Sequence, residues 1–412
     1  MNSSFRALKN GNYRIYFGGQ MVSMAGTWMQ STVQAWLVYR LSHSTGWLGI
    51  ITFCTQFPAF IISPVAGIIA DHKDRKKILM WTGIVGLLQA LALSALVFTG
   101  QVNLWHITFL SVVLGLVNGF ELTTRHAFAM DLVGKSDLNS AIALNSTTIN
   151  SSRILGPALA GICINWIGEA WCFIINSMSY LAIIASLLMI KMEPRTAAIT
   201  DSIRIYPALS ELRAAITYIR GVKRIRRLML IAAAVSFVAF PYTVLLPAFA
   251  KTILHGDAVT LSSLMAMTGF GAIMGALASV TVLNDRYIER KLTMSMVKTG
   301  GCLCVLGLSN TLWLSLLCTF GLGFFLMGMF PIINTAIQQT IEDSLRGRVL
   351  SLYTMTFLGA MPLGGLMAGW LADHLGVQTV TISTGIICAG LGLIFNSSFQ
   401  LEPNSSFGAR GG

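Results

Sequence analysis

The feature that most constrains this chain is a succession of apolar segments, each long enough to cross a lipid bilayer. A transmembrane helix needs about 20 predominantly apolar residues. Twelve runs of that order fall at 14–40, 47–70, 78–99, 104–128, 141–168, 170–190, 228–250, 258–283, 292–311, 312–335, 350–374 and 377–397. Charged residues make up only 11% of the chain, against about 25% in soluble domains. The sequence therefore predicts an all-α membrane protein with twelve transmembrane helices, and it excludes a soluble enzyme or a nucleic-acid-binding module.

Basic residues lie almost entirely in the loops on one side of the predicted bundle. The cluster Lys73–Lys77 follows the second run, whereas the loops on the other side carry only Arg40 and Lys251. Lysine and arginine accumulate in cytoplasmic loops, so both termini are expected in the cytoplasm. The net charge of +12 is then a consequence of topology and does not indicate a nucleic-acid partner.

The longest polar interval divides the apolar runs into two sets of six. It contains a basic amphipathic segment, Leu209–Tyr218, which is typical of a helix lying on a membrane surface. The predicted domains are an N-terminal six-helix half (1–190), a cytoplasmic linker (191–227), a C-terminal six-helix half (228–398) and a cytoplasmic tail (399–412).

An internal repeat supports this division. The string Ile154–Gly161 recurs as Pro362–Gly369, and Gly168 corresponds to Gly376 at the same offset of 208 residues. A fixed offset between two halves is the signature of a duplicated unit. The sequence thus predicts two pseudo-symmetric halves related by an axis along the membrane normal.

A charged loop lies between the second and third runs. It contains Gly67, Asp71, Arg75 and Lys76 at the spacing Gly-x-x-x-Asp-x-x-x-Arg-Lys. This string resembles the signature loop of the major facilitator superfamily of transporters. The resemblance implies a cytoplasmic latch, in which Asp71 and Arg75 form charge contacts between the two halves that break on inward opening. The alternative is that the loop serves only topology and helix capping.

The fifth run contains a glycine–proline pair. Gly156, Pro157 and Gly161 follow Arg153 in a string that resembles the fifth-span motif of drug-exporting branches of the superfamily. Gly-Pro distorts a helix and small residues permit close packing, so this string predicts either a hinge or a close helix crossing. Longer strings at 125–133, 141–146 and 346–353 resemble the branch that includes enterobactin exporters and macrolide efflux pumps.

Three ionisable residues inside or beside the runs are candidates for proton coupling or gating. Glu121 is the one acidic residue well inside a run, Arg125 follows it on the same helix face, and Arg153 enters the fifth run. Charges inside a bilayer are costly and usually functional. Glu121 is either a protonatable group coupled to alternating access or part of a static ion pair. With Lys298, the two arginines would favour an anionic catecholate or carboxylate substrate.

Several polar and aromatic residues within the runs could line a substrate cavity, since such sites combine apolar surface with a few hydrogen-bonding groups. The alternative is that they hold helices together or anchor the membrane interface. The candidates are Gln30, Gln34, Trp36, Gln56, Asn145, Asn150, Tyr242, Asn334 and Gln338.

The resemblance implies a secondary active transporter of a bacterial inner membrane. The predicted function is proton-coupled export of a small amphipathic molecule such as a siderophore by alternating access. A drug or macrolide efflux pump and a siderophore importer of the same fold are the alternatives. The expected partners are the small-molecule substrate, protons and the lipid bilayer, without nucleic acid, and a monomer is expected.

Another class to consider is a membrane-embedded enzyme, such as a lipid acyltransferase. It would need a nucleophile–base pair or a metal cluster, but the six histidines are scattered among loops and run ends. The seven cysteines lie mostly within apolar runs, and no Walker loop occurs. We therefore expect a protein that is not an enzyme and needs no cofactor or metal. A non-transporting receptor or scaffold is a third possibility.

Overall fold

The computed structural model describes residues 3–134, 136–192, 216–279, 288–342 and 345–400. Across these residues the chain forms a short 3-10 helix, Ser3–Lys9, and twelve long helices. The long helices are α1 (Gly11–Ser42), α2 (Thr45–His72), α3 (Arg75–Phe98), α4 (Leu104–Val133), α5 (Leu138–Ile167), α6 (Glu169–Met189), α7 (Lys223–Ile253), α8 (Ala258–Ser279), α9 (Ile288–Leu308), α10 (Leu312–Thr340), α11 (Arg346–Leu375) and α12 (Val377–Gln400). Most of the predicted linker and amphipathic segment, and the tail, lie outside the described residues.

Each predicted apolar run coincides with one of these helices. Nine helices in the described part of the chain are long and apolar enough to cross a membrane. The other three long helices, α1, α5 and α9, carry more polar residues along their length. The predicted all-α membrane architecture is confirmed, and a count of twelve spans is consistent with it.

Capping residues in the sequence determine where several helices begin and end. The side chains of Ser44, Asp74 and Asn103 accept hydrogen bonds from the first turns of α2, α3 and α4, where backbone N–H groups lack helical partners. Gly168 and Gly376 end α5 and α11 with φ values of +87° and +85°. Side chains other than glycine rarely adopt this backbone region, so the two repeat-related glycines stop their helices in the same way.

Helix α7 is irregular because proline interrupts its hydrogen bonding. Two π-helical turns, Val235–Ala239 and Phe249–Ile253, flank the segment that contains Pro241 and Pro247. At the end of the first turn the N–H group of Phe240 donates to the carbonyl of Val235, five residues back, at 3.1 Å. A π-helical turn widens a helix locally and often marks a functional position.

The helices pack as two sets of six. In the first set α1 contacts α5 and α6, α2 contacts α4, and α3 contacts α4 and α6. In the second set α8 packs against α10, while α9 packs against α10 and α12. The pairs α2–α11 and α5–α8 form the main contacts between the two sets. Because the helices alternate in direction, the start of α1 and the end of α12 lie at the same end of the bundle, which we call the terminal end. We call the other end the opposite end.

Glycines allow the two halves to approach closely. At Gly49 on α2 an added Cβ would lie 2.9 Å from the carbonyl oxygen of Gly365 on α11. At Gly369 it would press against the carbonyl of Thr45 and lie 3.2 Å from the Cα atom of Gly49. Small residues at helix crossings let backbones meet where lipid supplies no hydrophobic driving force. The α2–α11 contact therefore depends on the absence of side chains at these positions.

Replacing Gly369 by valine should disrupt this packing, because the new side chain cannot fit between α11 and α2. We expect Gly369→Val to lower the free energy of unfolding by about 1–3 kcal/mol, as overpacking commonly does. The matched control is Gly390→Val on α12, where no atom lies within 4 Å of an added Cβ. The melting temperatures of the purified variants in detergent test this expectation, and equal values would contradict it.

Candidate functional site

Asp373, in the last turn of α11, joins the two halves at the opposite end. Its Oδ1 atom accepts hydrogen bonds from the Thr45 backbone N–H at 2.6 Å and the Thr45 hydroxyl at 2.7 Å. Its Oδ2 atom accepts from the Ser44 hydroxyl at 2.5 Å and the Gly46 N–H at 3.0 Å. A helix N-terminus has unpaired donors and a partial positive charge, so a carboxylate of one half caps α2 of the other. We call these four residues the α2–α11 clasp.

The corresponding start of α8 is capped from within its own half. There the Oδ1 atom of Asp257 accepts from the N–H groups of Val259 and Thr260, each at 3.0 Å. The contact between α5 and α8 at this level is a packing contact, since an added Cβ at Gly161 would lie 2.8 Å from the Cβ of Ser262. Within the described residues at the opposite end, the α2–α11 contact is therefore held by the hydrogen bonds of the clasp, whereas the α5–α8 contact is held by packing.

The charged loop after α2 is held together within the N-terminal half. Nη2 of Arg75 lies 2.8 Å from Oδ1 of Asp71, and Nη1 lies 2.8 and 2.9 Å from the two carboxylate oxygens of Asp131 on α4. Lys76 donates from Nζ to the carbonyl of Ile190 at 2.8 Å, at the end of α6. The predicted latch residues therefore tie the terminal ends of α2, α3, α4 and α6 together in this conformation.

Two features of this loop were not predicted from its sequence. Arg75 is almost fully buried, with its side chain 8% exposed, and the acid that binds it most extensively, Asp131, was not among the predicted site residues. No atom lies within 4 Å of a Cβ added at Gly67, so that glycine makes no close helix approach here. The role of Asp71 and Arg75 in contacts between the two halves stays a prediction.

Glu121 and Arg125 face each other inside the N-terminal half. Oε1 of Glu121 lies 3.6 Å from Nη1 of Arg125 and accepts a hydrogen bond from Nε2 of Gln20 on α1 at 3.3 Å. Arg125 also contacts the Sδ atom of Met24 at 3.3 Å. Within the described residues, the buried Arg125 Nε and Tyr16 hydroxyl have no hydrogen-bond partner. This acid–base pair is incompletely satisfied by protein groups.

Two small cavities lie beside this pair. One of about 30 Å³ is lined in part by Tyr16, Gln20, Arg125 and Asn145, and another of about 10 Å³ by Tyr16, Gln20 and Glu121. A polar cavity needs about 10–15 Å³ to hold a water molecule. The larger cavity therefore has room for a water molecule next to the unpaired polar atoms.

Arg153 occupies a different place from the pair with which the sequence grouped it. Its guanidinium carbon lies 5.3 Å from the ring centre of Trp28 on α1, and Nη1 lies 3.0 Å from the Sδ atom of Met327 on α10. An added Cβ at Gly269 on α8 would lie 2.8 Å from its carbonyl oxygen. Arg153 is thus between the two halves, while Glu121 and Arg125 lie inside one of them.

The glycine–proline string of α5 lies at helix crossings. A Cβ added at Gly156 would lie 2.8 Å from the backbone nitrogen of Met29 on α1, and Gly161 meets Ser262 on α8. Gly156 and Pro157 are both buried. Of the two interpretations offered by the sequence, this geometry favours close-packed crossings that attach α5 to both α1 and α8.

The glutamines of α1 connect helices. Nε2 of Gln30 donates to Oε1 of Gln89 on α3 at 2.9 Å, and its own Oε1 accepts from Nδ2 of Asn176 on α6 at 2.6 Å. Gln34 donates to the hydroxyl of Ser111 on α4 at 2.9 Å. These buried side chains are satisfied by other helices, which favours the packing interpretation over substrate contact. Gln89 and Asn176 were not singled out in the sequence.

Two aromatic candidates lie near the boundary of the halves. Trp36 is buried beneath Lys251, whose Nζ atom lies 5.8 Å from the ring centre. Tyr242 is buried in α7, and its hydroxyl lies 3.5 Å from the hydroxyl of Thr268 on α8. Both rings are therefore already in contact with polar groups of the C-terminal half.

The remaining candidates are half-buried. Nε2 of Gln338 donates to Oδ1 of Asn334 one turn earlier on α10, at 2.5 Å. Asn145 lines the larger cavity beside Arg125, and Asn150 donates to the carbonyl of Ser146 on its own helix at 2.9 Å. Gln56 is half-buried on α2. Their partial exposure is compatible with a cavity lining.

Two six-helix sets that meet along α2–α11 and α5–α8 define a transporter of the major facilitator fold. The solved structure of the nucleoside transporter NupG aligns with a TM-score of 0.73 over 98% of this chain and 100% of that chain, at 12% identity. At that identity the likeness concerns the fold alone. The chain belongs to the transmembrane secretion effector family of this superfamily, whose sequence profile matches residues 2–406. The resemblance predicted from the sequence is confirmed.

Similar proteins include siderophore and efflux transporters. The staphyloferrin A transporter of Staphylococcus aureus is 25% identical over 93% of this chain and 95% of its own length. The multidrug efflux pump Tap of Mycolicibacterium fortuitum is 22% identical over 94% and 95%. The macrolide efflux protein A of Streptococcus pyogenes is 22% identical over 93% and 96%. These matches confirm a multi-pass membrane transporter of the siderophore and macrolide branch.

Removing the carboxylate of the clasp should weaken the contact between the halves at the opposite end. Asp373→Ala removes the acceptor of the Ser44 hydroxyl and of the Thr45 and Gly46 N–H groups, while the Thr45 hydroxyl keeps the Gly369 carbonyl at 2.7 Å. We expect the equilibrium between closed and open arrangements there to shift by about 1.5–3 kcal/mol, the usual value of a hydrogen bond to a charged group. Distances between spin labels at the ends of α1 and α11, on a cysteine-free background, should then lengthen.

Asp257→Ala is the control for this measurement, because Asp257 caps α8 within one half. It should leave the label distances unchanged. Equal distance distributions in all three proteins would contradict a role of the clasp in holding the halves together.

Proposed function

We propose that this protein is a secondary active transporter of the bacterial inner membrane that exports a small amphipathic molecule by proton-coupled alternating access, with a siderophore as the leading cargo. The two halves, 1–190 and 228–398, would move as units about the cargo, and the protein would act as a monomer. Membership of the transporter family and the relatives named for siderophore transport and drug efflux support this proposal.

The observation that carries proton coupling is the position of Glu121. Within the described residues it is the acidic residue in the body of a transmembrane helix, whereas the others lie in terminal turns or next to helix ends. It lies next to Arg125 and Gln20, with water-sized cavities alongside. A carboxylate at such a place changes its neighbours when it gains a proton, because Arg125 then loses its counter-charge. Protonation of Glu121 would therefore favour one arrangement of α1 and α4 over the other.

The orientation of the cycle follows from two observations. Basic residues are concentrated at the terminal end, which supports a cytoplasmic position of that end and of both termini by the positive-inside rule. The clasp then lies on the outer side, so the arrangement described here is closed toward the outside. Outward release of cargo would require the clasp to break.

A drug or macrolide efflux pump is the second candidate, and the relatives named for those activities support it. Import of a siderophore by the same fold is the third. All three share the transporter class. They differ in the charge of the cargo and in the direction of net movement, so a vesicle assay separates them.

Glu121→Gln should abolish proton-driven accumulation, because the amide keeps the shape and the contact with Gln20 but cannot bind a proton. The assay is uptake of a catecholate siderophore, a carboxylate siderophore and a macrolide into inside-out membrane vesicles with an imposed proton gradient. We expect uptake by the variant to fall to the level of wild-type vesicles without a gradient. Exchange of cargo across the membrane without a gradient should persist.

The control is Glu169→Gln, which removes an acid at the opposite end whose partner is Arg40 at 2.6 Å. It should keep gradient-driven uptake, since this ion pair lies at the opposite end and makes no contact with Glu121. Uptake that survives in Glu121→Gln would remove Glu121 from the coupling mechanism. Uptake only into right-side-out vesicles would replace export by import.

A further inference from the structure

Arg153 is the middle residue of α5, about 22 Å along the helix from either end at 1.5 Å per residue. It lies where the halves meet, because its side chain contacts Trp28 of α1 and Met327 of α10. Its helix also packs directly on α8 of the other half. In transporters of this architecture the two halves enclose their cargo near the middle of the bilayer. Arg153 is therefore a cation at the depth and boundary where cargo would be held.

The positive charge of Arg153 is not balanced by a carboxylate in the described part of the chain. Arg40, Arg75, Arg125 and Arg224 each lie within 4 Å of an acidic side chain, at 2.6 to 3.6 Å. Arg153 instead meets a thioether and an indole ring, which are weak partners that carry no charge. A buried charge without an opposite charge is costly to maintain, so its presence needs a function.

The guanidinium has donors left to offer. It carries five N–H groups in a planar fork, and the structure describes one hydrogen bond from them, from Nη1 to the sulfur of Met327. The buried Nε atom has no hydrogen-bond partner within the described residues. A planar fork with free donors is suited to a carboxylate or another bidentate oxygen anion. By surface area the residue as a whole is partly buried.

The surroundings of the fork are largely aromatic and apolar. Phe330 lies three residues after Met327 and therefore on the same face of α10. Its ring centre lies 4.4 Å from that of Phe357 on α11 and 6.1 Å from that of Phe240 on α7. Tyr242 lies two residues further along α7. One fixed cation beside aromatic surface is the composition expected of a site for an amphipathic organic anion.

We propose that Arg153 binds an anionic oxygen group, a carboxylate or a catecholate, of the transported molecule, with the aromatic residues of α7, α10 and α11 holding its apolar part. This inference rests on the proposed transport function and adds to it the charge of the cargo and the residue that recognises it. In the arrangement described here the guanidinium contacts Met327 and Trp28. When cargo binds, its anionic group replaces the Met327 sulfur as the partner of Nη1. Glu121 keeps the separate task of coupling to protons.

The binding experiment uses the purified full-length protein and three probes. They are a carboxylate siderophore, a catecholate siderophore and a cationic macrolide, and each anionic probe is paired with its neutral ester or ether. Dissociation constants are measured by calorimetry for wild type, Arg153→Met and Arg153→Lys. Methionine keeps most of the length and apolar packing of the side chain, whereas lysine keeps the charge and loses the fork.

We expect wild type to bind at least one anionic probe and Arg153→Met to weaken that binding roughly 10- to 100-fold, as loss of a charge-assisted hydrogen bond does. The dissociation constant of Arg153→Lys should lie between those of wild type and Arg153→Met. The neutral form of the same probe should bind wild type and Arg153→Met equally. The preferred anionic probe then decides between carboxylate and catecholate.

Arg40→Met is the matched control, because Arg40 is a cation at the opposite end of the bundle that is already paired with Glu169 at 2.6 Å. It should bind the anionic probe as wild type does. A melting temperature of Arg153→Met close to that of wild type shows that its binding defect is not unfolding.

Several outcomes overturn the inference. If Arg153→Met binds the anionic probe as tightly as wild type and still transports it in vesicles, Arg153 does not recognise cargo, while the proposed transport function stands. Binding of the macrolide alone, unaffected by either Arg153 variant, rejects the anion site in favour of drug efflux. If wild type neither binds nor moves any of the three probes, the proposed function fails and the inference fails with it.

Discussion

A polar group inside a bilayer must find its partner within the protein, and the structure depends on that constraint. Backbone groups are satisfied by helices, so the described chain is helical almost throughout. Side chains are satisfied at helix crossings, as Gln30 is by Gln89 and Asn176. The polar atoms that remain unsatisfied are then informative. Within the described residues they include Nε of Arg125, inside the N-terminal half, and Nε of Arg153, between the halves.

The sequence predicted the helices well because their signals are local. An apolar run of about 20 residues and a capping residue such as Ser44 or Asp74 act within a few turns. The loop from Asp71 to Lys76 was also recognised as a unit. What the sequence did not reveal was partner choice across long separations. Asp131 stands 56 residues from Arg75 and Asp373 stands 328 from Thr45, and no local rule connects them.

Proximity in sequence was misleading for the arginines. Arg125 and Arg153 are near each other along the chain, yet their side chains face different regions. Which face of α5 turns toward the other half depends on packing at Gly156 and Gly161 against two different helices. One signal was available for Asp373. A carboxylate in the last turn of a helix is opposed by the helix dipole, so its presence there indicates a partner on another element.

The unequal capping of α2 and α8 has a mechanical consequence. If the halves separate at the opposite end, the α2–α11 edge loses four hydrogen bonds that water must replace. The α5–α8 edge loses only van der Waals contact at Gly161, since α8 keeps its own cap. The α2–α11 edge therefore resists separation more strongly than the α5–α8 edge, despite the pseudo-symmetry of the fold. The halves would swing about an axis near α2 and α11, so the mouth of the cavity widens first beside α5 and α8, as a tilted crevice rather than a central pore.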